Sequence, residues 1–245
     1  MSFHPEHITA APVLVHRHEI DSTQQLAADL GKDGSPHLSC VVADIQTKGR
    51  GRMGRLWVTY PEDALACSVI IRNQPQTLPL LIANVLADIL EVFCKDKMGI
   101  KWPNDILHSG KKVAGILCES FTDKAGERFY VVGTGINIKT PKERGDVPAI
   151  SLQDIAGKAF SREEVLQEYL SALFSALEVH SQEGFKPFYK DYMARCQTIG
   201  KKVRWPSAGG EKYGIASHLD ETGSLVIETE TGQEVCHSAA LIEDL

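Results

Sequence analysis

The stretch Ile100–Ser120, IKWPNDILHSGKKVAGILCES, decides how the central part of this chain folds. A short β-like run ending at Trp102 leads into PND, a sequence with turn chemistry. Lys112 begins the next β-like run, directly before small residues. Two interpretations stay open from these residues alone. Either the turn presents the Asn104 amide and the Asp105 carboxylate as part of a site, or both residues only shape a hairpin that the lysines solvate.

Outward from this stretch, β-like and helical runs interleave along the chain. The period of the apolar residues distinguishes them, since helices repeat every three to four residues and strands every two. Helices are predicted over 21–30, 78–97, 162–181 and 185–196, the third of them starting at a capping box in 161–164. Strands are predicted over 13–20, 39–45, 66–72, 100–102, 113–121 and 129–138. This pattern predicts an α+β fold with a mixed, mainly antiparallel sheet.

The residue pattern changes near Gly200, where short β-like runs separated by glycine turns replace the helical runs. Regularly spaced short strands of this kind are typical of a small barrel or sandwich. We therefore predict two domains, a larger domain over residues 1–198 and a small β-barrel-like domain over 199–245.

Composition narrows the class of protein. The net charge of −6 argues against a chain whose main partner is nucleic acid, because that needs a broad basic surface. The six cysteines form no C-x-x-C pair, which favours a reducing compartment. We find neither a membrane-spanning apolar run nor a signal peptide, so a cytoplasmic location is expected.

The loop Gln46–Trp57, QTKGRGRMGRLW, places four cations among three glycines. Its letters contain G-x-G-x-x-G, but the dinucleotide fingerprint needs a helix at the third glycine, and the following LWVTYPED is β-like. A solvated surface loop remains one interpretation. The other is an anion clamp, because arginine forks and backbone N–H groups beside glycine bind phosphate or carboxylate oxygens.

Two further motifs each allow a structural and a functional interpretation. In DSTQQ, Ser22 could cap the following helix, or the helix N-terminus could receive a polar substrate group. In GTGINI, Gly133 and Gly135 suggest either a bend in the strand or a ligand pressed against its backbone. His16 and His18 share one strand face but lack a third ligand, which disfavours a metal site there.

Together, DSTQQ, QTKGRGRMGRLW, KWPND, KKVAGILCE and GTGINI occur in an order that resembles biotin protein ligase (biotin–[acetyl-CoA-carboxylase] ligase), in the short form without a DNA-binding domain. The resemblance implies a class II synthetase-like catalytic domain and an SH3-like barrel. It implies that biotin and ATP form biotinyl-5'-AMP with Mg²⁺, and that a biotin carboxyl carrier protein of acetyl-CoA carboxylase or a related carboxylase receives the biotin. Neither nucleic acid nor membrane is an expected partner, and a homodimer is compatible with the family.

The resemblance also implies roles for individual residues. Lys112 and Arg52 are the expected catalytic residues. Biotin is expected to be bound by Ser22, Thr23, Gln24, Gln46, Arg50, Gly51, Arg52, Lys112, Gly133 and Gly135. ATP is expected to be bound by Arg52, Arg55, Trp57, Asn104, Lys112 and Asn137, and Asp105 is the candidate metal ligand.

Three departures from the family pattern and two alternative functions accompany this prediction; one departure is Met53, which interrupts the arginine run where some members carry another Arg. Gln24 stands where the family more often has Asn, and HSAAL (237–241) stands where many members read Gly-Glu-Val. The alternatives are a non-catalytic biotin or adenylate-binding regulator and a related lipoate or octanoate transferase. The cations Arg52, Arg55 and Lys112 argue against the first, and the arginine-glycine loop with KWPND argues against the second.

Overall fold

The computed structural model describes residues 3–57, 59, 63–73, 77–140, 148–207, 210–237 and 242–243. Five α-helices lie within these ranges: α1 Thr23–Lys32, α2 Leu78–Cys94, α3 Leu152–Ala156, α4 Arg162–Glu183 and α5 Lys186–Arg195. The strands of the larger sheet are β1 Leu14–Ile20, β2 Cys40–Gln46, β3 Ala64–Arg72, β4 Gly99–Lys101, β5 Asp105–His108, β6 Lys111–Thr122 and β7 Arg128–Asn137. Those of the smaller sheet are β8 Lys202–Ser207, β9 Gly210–Leu219, β10 Leu225–Thr229, β11 Gly232–Cys236 and β12 Ile242–Glu243.

The larger sheet has the strand order β1-β2-β3-β7-β6-β5-β4. Only its first pair, β1 with β2, is parallel, and α1 provides the crossover between them. The remaining neighbours pair antiparallel. The predicted α+β class with a mixed, mainly antiparallel sheet is thus confirmed.

The two faces of this sheet pack against different helices. Val41, Ile70 and Phe129 face α1 and form a small apolar cluster with it. Their chain neighbours, such as Val42 and Val69, belong to the main core with α2 and α4. This alternation follows from the two-residue period of a strand. Because α1 covers only part of its face, open space remains beside its N-terminus, between the sheet and the loop after β2.

The smaller sheet has the order β11-β10-β9-β8-β12 and packs against the larger part of the chain. The Trp102 indole Nε1 donates to the Gly223 carbonyl at 3.1 Å. Trp102 is 3 % exposed, and its hydrogen bond to Gly223 is partly buried. The tryptophan of KWPND therefore joins the small sheet to the turn that holds Asn104 and Asp105.

Three elements differ from the sequence prediction. Strand β5 occupies residues predicted as a hairpin connection, because its four residues are too few to show a period. Helix α2 ends at Cys94 rather than near Lys97, since Lys95 adopts a left-handed conformation. The short helix α3 was missed, although Ser151 and Asp154 form a capping box at its start. No helix in the described ranges is long and apolar enough to cross a membrane.

Candidate active site

A cleft lies beside the N-terminus of α1, between the sheet and the loop Gln46–Trp57. About 470 Å³ of space free of protein atoms lies within it, part of which is open to solvent. Twelve of the residues predicted from the sequence line it together: Ser22, Thr23, Gln24, Gln46, Arg50, Gly51, Arg52, Trp57, Asn104, Lys112, Gly133 and Gly135. These residues come from five separate motifs, and the fold brings them into one concave surface.

The loop Gln46–Trp57 forms a small hairpin rather than the start of a helix. The Gly51 amide donates to the Arg55 carbonyl at 2.7 Å, and the Trp57 amide donates to the Gly49 carbonyl at 2.9 Å. A single 3-10 turn, Arg52–Gly54, closes its tip. In the described part of the chain, no α-helix begins between Gly54 and α2. The dinucleotide fingerprint is therefore excluded, as predicted.

The Trp57 indole lies on the glycines of β6 and β7. A Cβ atom at Gly135 would collide with the indole ring, and one at Gly115 would lie 3.4 Å from it. Lys112 Nζ lies 5.7 Å from the centroid of the same ring. The glycines thus allow an aromatic ring to approach the backbone of the sheet closely.

The polar floor of the cleft is a row of four side chains. The Thr23 amide donates to Gln46 Oε1 at 2.8 Å, and Thr23 Oγ1 lies 3.0 Å from the same oxygen. Thr23 Oγ1 lies 2.9 Å from Ser68 Oγ, which lies 3.1 Å from Gln24 Oε1. Gln24 Nε2 donates to Glu119 Oε2 and to the Val131 carbonyl, each at 3.0 Å.

This row has more hydrogen-bond acceptor positions than donors. Gln46 Oε1 and Gln24 Oε1 stand at its two ends and can only accept. Between them, the hydroxyls of Thr23 and Ser68 supply two protons for three oxygen–oxygen contacts. One contact therefore lacks a proton in any arrangement. The row therefore keeps free acceptor positions, to which a ligand N–H group can donate.

Ser22 offers the complementary group. Its hydroxyl does not cap α1, which corrects the structural interpretation of DSTQQ. Ser22 is 4 % exposed and lines the cleft, and its Oγ has no hydrogen-bond partner among the described residues. Gln25, the expected partner in a capping box, instead contacts Asp29 and Arg50. A buried hydroxyl of this kind is costly unless a ligand or water engages it.

Cations occupy the other end of the cleft. Lys112 Nζ lies 2.7 Å from Asp105 Oδ1. Arg52 Nη1 donates to Asn104 Oδ1 at 2.6 Å, and Asn104 Nδ2 donates to Asp105 Oδ1 at 3.2 Å. Burial lowers the pKa of Arg52, while the nearby Asp105 carboxylate acts in the opposite direction. The loop and the KWPND turn are thus joined, and Arg52 of the loop and Lys112 of β6 present positive charge to the same space.

Three predicted site residues lie outside this lining. The Arg55 side chain is exposed and does not line the cleft. Asn137 Nδ2 donates to the backbone carbonyls of Lys112 and Ile150, so it fastens residues 148–150 to β6. Asp105 reaches the site through Lys112. The predicted roles of Arg55 and Asn137 in ATP binding stay predictions.

Several residues that line the cleft are not predicted from the sequence, among them Ser68 on β3 and Thr134 on β7. Ser68 stands opposite Gly133 in the β3–β7 register, which places its hydroxyl beside Gln24. Only the strand pairing reveals this position, because Ser68 lies inside the apolar run ACSVII. Within that run a lone serine carries no local signal for a site.

No group of three His, Cys, Asp or Glu side chains in the described ranges could hold a metal ion. His16 Nε2 and His18 Nδ1 both contact Asp44, at 3.1 and 3.0 Å. Arg162 Nη2 lies 2.9 Å from the same carboxylate. Arg162 thus supplies a positive charge to the Asp44 carboxylate, while the His18 side chain is largely exposed.

Two family models match the chain in succession. The Biotin/lipoate A/B protein ligase family matches residues 17–137, the part that contains every lining residue of the cleft. The Biotin protein ligase C terminal domain matches residues 198–239, which cover β8 to β11.

Curated relatives and solved structures agree with these matches. The chain is 34% identical to the bifunctional ligase/repressor BirA of Bacillus spizizenii, over 92% of this chain and 72% of that protein. It is 33% identical to the biotin--[acetyl-CoA-carboxylase] ligase of Paracoccus denitrificans, over 89% of this chain and 95% of that protein. A biotin protein ligase from Aquifex aeolicus, solved in complex with biotin and ATP, superimposes with a TM-score of 0.81 at 29% identity, over 95% and 100% of the two chains.

Proposed function

The chain belongs to the biotin protein ligase family, and we propose that it activates biotin with ATP as biotinyl-5'-AMP and then transfers the biotin to a lysine of a carrier protein. It is an ATP-dependent biotin ligase. The proposal concerns how the residues of the cleft perform this reaction and which protein receives the biotin.

The observation that supports the assignment of biotin to this cleft is the composition of its floor. The ureido ring of biotin carries two N–H donors and one carbonyl acceptor. The row from Gln46 to Gln24 has free acceptor positions, and the Ser22 hydroxyl has a proton to give. We assign the ureido N–H to the row and the ureido carbonyl to Ser22. The biotin carboxylate then points towards Lys112.

In the first step, a biotin carboxylate oxygen attacks the α-phosphorus of ATP, and pyrophosphate leaves. Lys112 and Arg52 reduce the repulsion between the two anions and stabilise the charge that builds on the phosphate oxygens. Asp105 holds the Lys112 ammonium in place, and Asn104 holds Arg52. We assign the adenine to Trp57 and the terminal phosphates to Arg55.

In the second step, a lysine amine of the carrier attacks the acyl carbon, and AMP leaves. We propose the biotin carboxyl carrier protein of acetyl-CoA carboxylase or a related carboxylase as the acceptor, in line with the relative from Paracoccus denitrificans. Until then, the mixed anhydride must be shielded from water. The hairpin Gln46–Trp57 covers the cleft and suits this purpose.

The residues fit Mg²⁺ held chiefly by substrate. Mg²⁺ commonly binds one or two carboxylates together with substrate phosphates and water. Asp105 is the carboxylate nearest the cations of the cleft, and we propose it as the protein ligand. The ion would neutralise charge on the ATP phosphates.

Two alternatives predict different behaviour, which a panel of acids distinguishes. The protein is incubated with Mg-ATP and biotin, lipoate or octanoate, and pyrophosphate release is measured. We expect release with biotin only, because the linear acyl chain of octanoate offers no N–H donor to the row. Release with octanoate at a comparable rate would support the acyl transferase. Binding of biotin without pyrophosphate release would support the non-catalytic regulator.

A further inference from the structure

Glu119 does not line the cleft, but it contacts Gln24, which does. It stands on β6 opposite Val131 of β7, and it is half-buried. Its carboxylate accepts a hydrogen bond from Gln24 Nε2 at 3.0 Å. The second donor position of the same amide is used by the Val131 carbonyl. Both N–H groups of the Gln24 amide therefore form hydrogen bonds within the protein.

This arrangement fixes which end of the Gln24 amide faces the cleft. If the amide were reversed, its oxygen would face the Glu119 carboxylate and the Val131 carbonyl, and neither of these can donate. The reversed amide would instead donate Nε2–H to Ser68 and replace one acceptor of the row by a donor. The row would then offer fewer acceptor positions to a ligand N–H group.

The Gln24 side chain is long enough to reach Glu119 across the sheet. The side chain starts on α1 and passes over Gly133, where a Cβ atom would lie 2.6 Å from Gln24 Oε1. It ends between β6 and β7 at Glu119 and Val131. Gly133 therefore makes room for Gln24. Glutamine at this position, rather than the shorter asparagine, allows the amide to reach the far side of β7.

We propose that Glu119 is a positioning residue for biotin, acting through Gln24. Its carboxylate holds the Gln24 amide so that the amide oxygen points towards Ser68. The row then contains more acceptors than donors, and it selects a ligand ring that carries N–H groups. This inference rests on the proposed function, because it assigns the ureido group to the row Gln46–Thr23–Ser68–Gln24.

Substitutions at Glu119 distinguish the effect of the position of its carboxylate from the effect of its charge. Glu119→Asp keeps the charge but withdraws the carboxylate by one methylene, and Glu119→Ala removes it. We expect both to raise the KM for biotin about tenfold, the effect of losing one hydrogen bond to a charged group. Glu119→Gln keeps an acceptor at the right reach and should stay within about threefold of the wild type. Glu127→Ala, in the exposed turn before β7, is the matched control.

The KM for biotin, the KM for ATP and kcat are measured by pyrophosphate release, with the unfolding midpoint of each variant. We expect the KM for biotin alone to change. In a Gln24→Ala background, Glu119→Ala should add nothing, since it acts through that amide. An equal effect with and without Gln24, or equal losses in all three constants, would overturn the inference. If the wild type is active and Glu119→Ala leaves the KM for biotin unchanged, only the role of Glu119 is overturned. If the wild type is inactive with biotin, the proposed function itself is overturned.

Discussion

Lys112 Nζ and Asp105 Oδ1 lie 2.7 Å apart at the cationic end of the cleft. About four-fifths of each side chain is buried, so the pair is well shielded from solvent. The pair joins the turn of KWPND to the first residues of β6. Asp105 therefore fixes the direction in which the Lys112 ammonium points, which is towards the face of Trp57.

Replacing Lys112 tests the catalytic assignment. We expect Lys112→Ala to slow biotin-dependent pyrophosphate release by at least about a hundredfold, because a preplaced cation at the reacting phosphate is lost. Lys111→Ala is the control, since that neighbouring side chain is exposed. A Lys112→Ala enzyme as fast as the Lys111→Ala enzyme would refute the assignment.

Replacing Arg52 tests whether the loop retains the intermediate. Arg52 joins the loop to Asn104 across the cleft, so Arg52→Gly should let biotinyl-5'-AMP escape before transfer. We expect about tenfold more biotin on an unrelated bystander protein, corresponding to the loss of one good contact. Lys48→Gly in the same loop is the control, because Lys48 pairs with Asp21 at the surface. Labelling that stays at the wild-type level would contradict this role.

Gly135→Ala tests whether Trp57 must lie against the sheet. The added methyl group would collide with the indole, and we expect kcat/KM for ATP to fall about tenfold through overpacking. In a Trp57→Ala background the collision is absent, so Gly135→Ala should change little further. Equal losses in both backgrounds would show that Gly135 acts independently of Trp57.

His180 predicts a pH dependence of stability that is separate from catalysis. Burial lowers the pKa of His180 to about 4, against an ordinary value of 6.5, and Thr77 Oγ1 lies 2.8 Å from its Nε2. The unfolded chain therefore binds the proton more readily, and stability falls as the pH drops below 6.5 towards 4.

Between pH 7.5 and pH 5 this histidine should cost about 2 kcal/mol of unfolding free energy. Denaturant unfolding of His180→Gln should show a decrease smaller by that amount, while the exposed His7→Gln should behave as the wild type. Parallel pH profiles for all three proteins would rule out His180 as the source.

The motifs predicted most of the cleft because each contains its own turn or loop chemistry. The anion clamp interpretation of the loop was favoured by its arginines and glycines, and the fold class followed from apolar periodicity. Ser68 and Glu119 could not be predicted in this way. They reach Gln24 only through the β3–β7 and β6–β7 registers, at sequence separations of 44 and 95 residues.

Two residues predicted from the sequence to belong to the site do not line the cleft. Arg55 shares the loop with Arg52, but the hairpin turns its side chain outwards. Asn137 ends the GTGINI strand, but its amide donors are spent on the carbonyls of Lys112 and Ile150. Sequence composition indicates which residues suit a site, whereas the backbone decides which side of each element faces it.

The central claim is that one cleft makes biotinyl-5'-AMP and passes the biotin to a carrier lysine. The most direct measurement is a chase: the protein is incubated with biotin and Mg-ATP, freed of unbound substrates, and mixed with an apo biotin carboxyl carrier domain. Mass spectrometry of the carrier should show one biotin on a single lysine, formed without further ATP and accompanied by AMP. A carrier that stays unmodified while the protein retains biotinyl-5'-AMP would contradict the account.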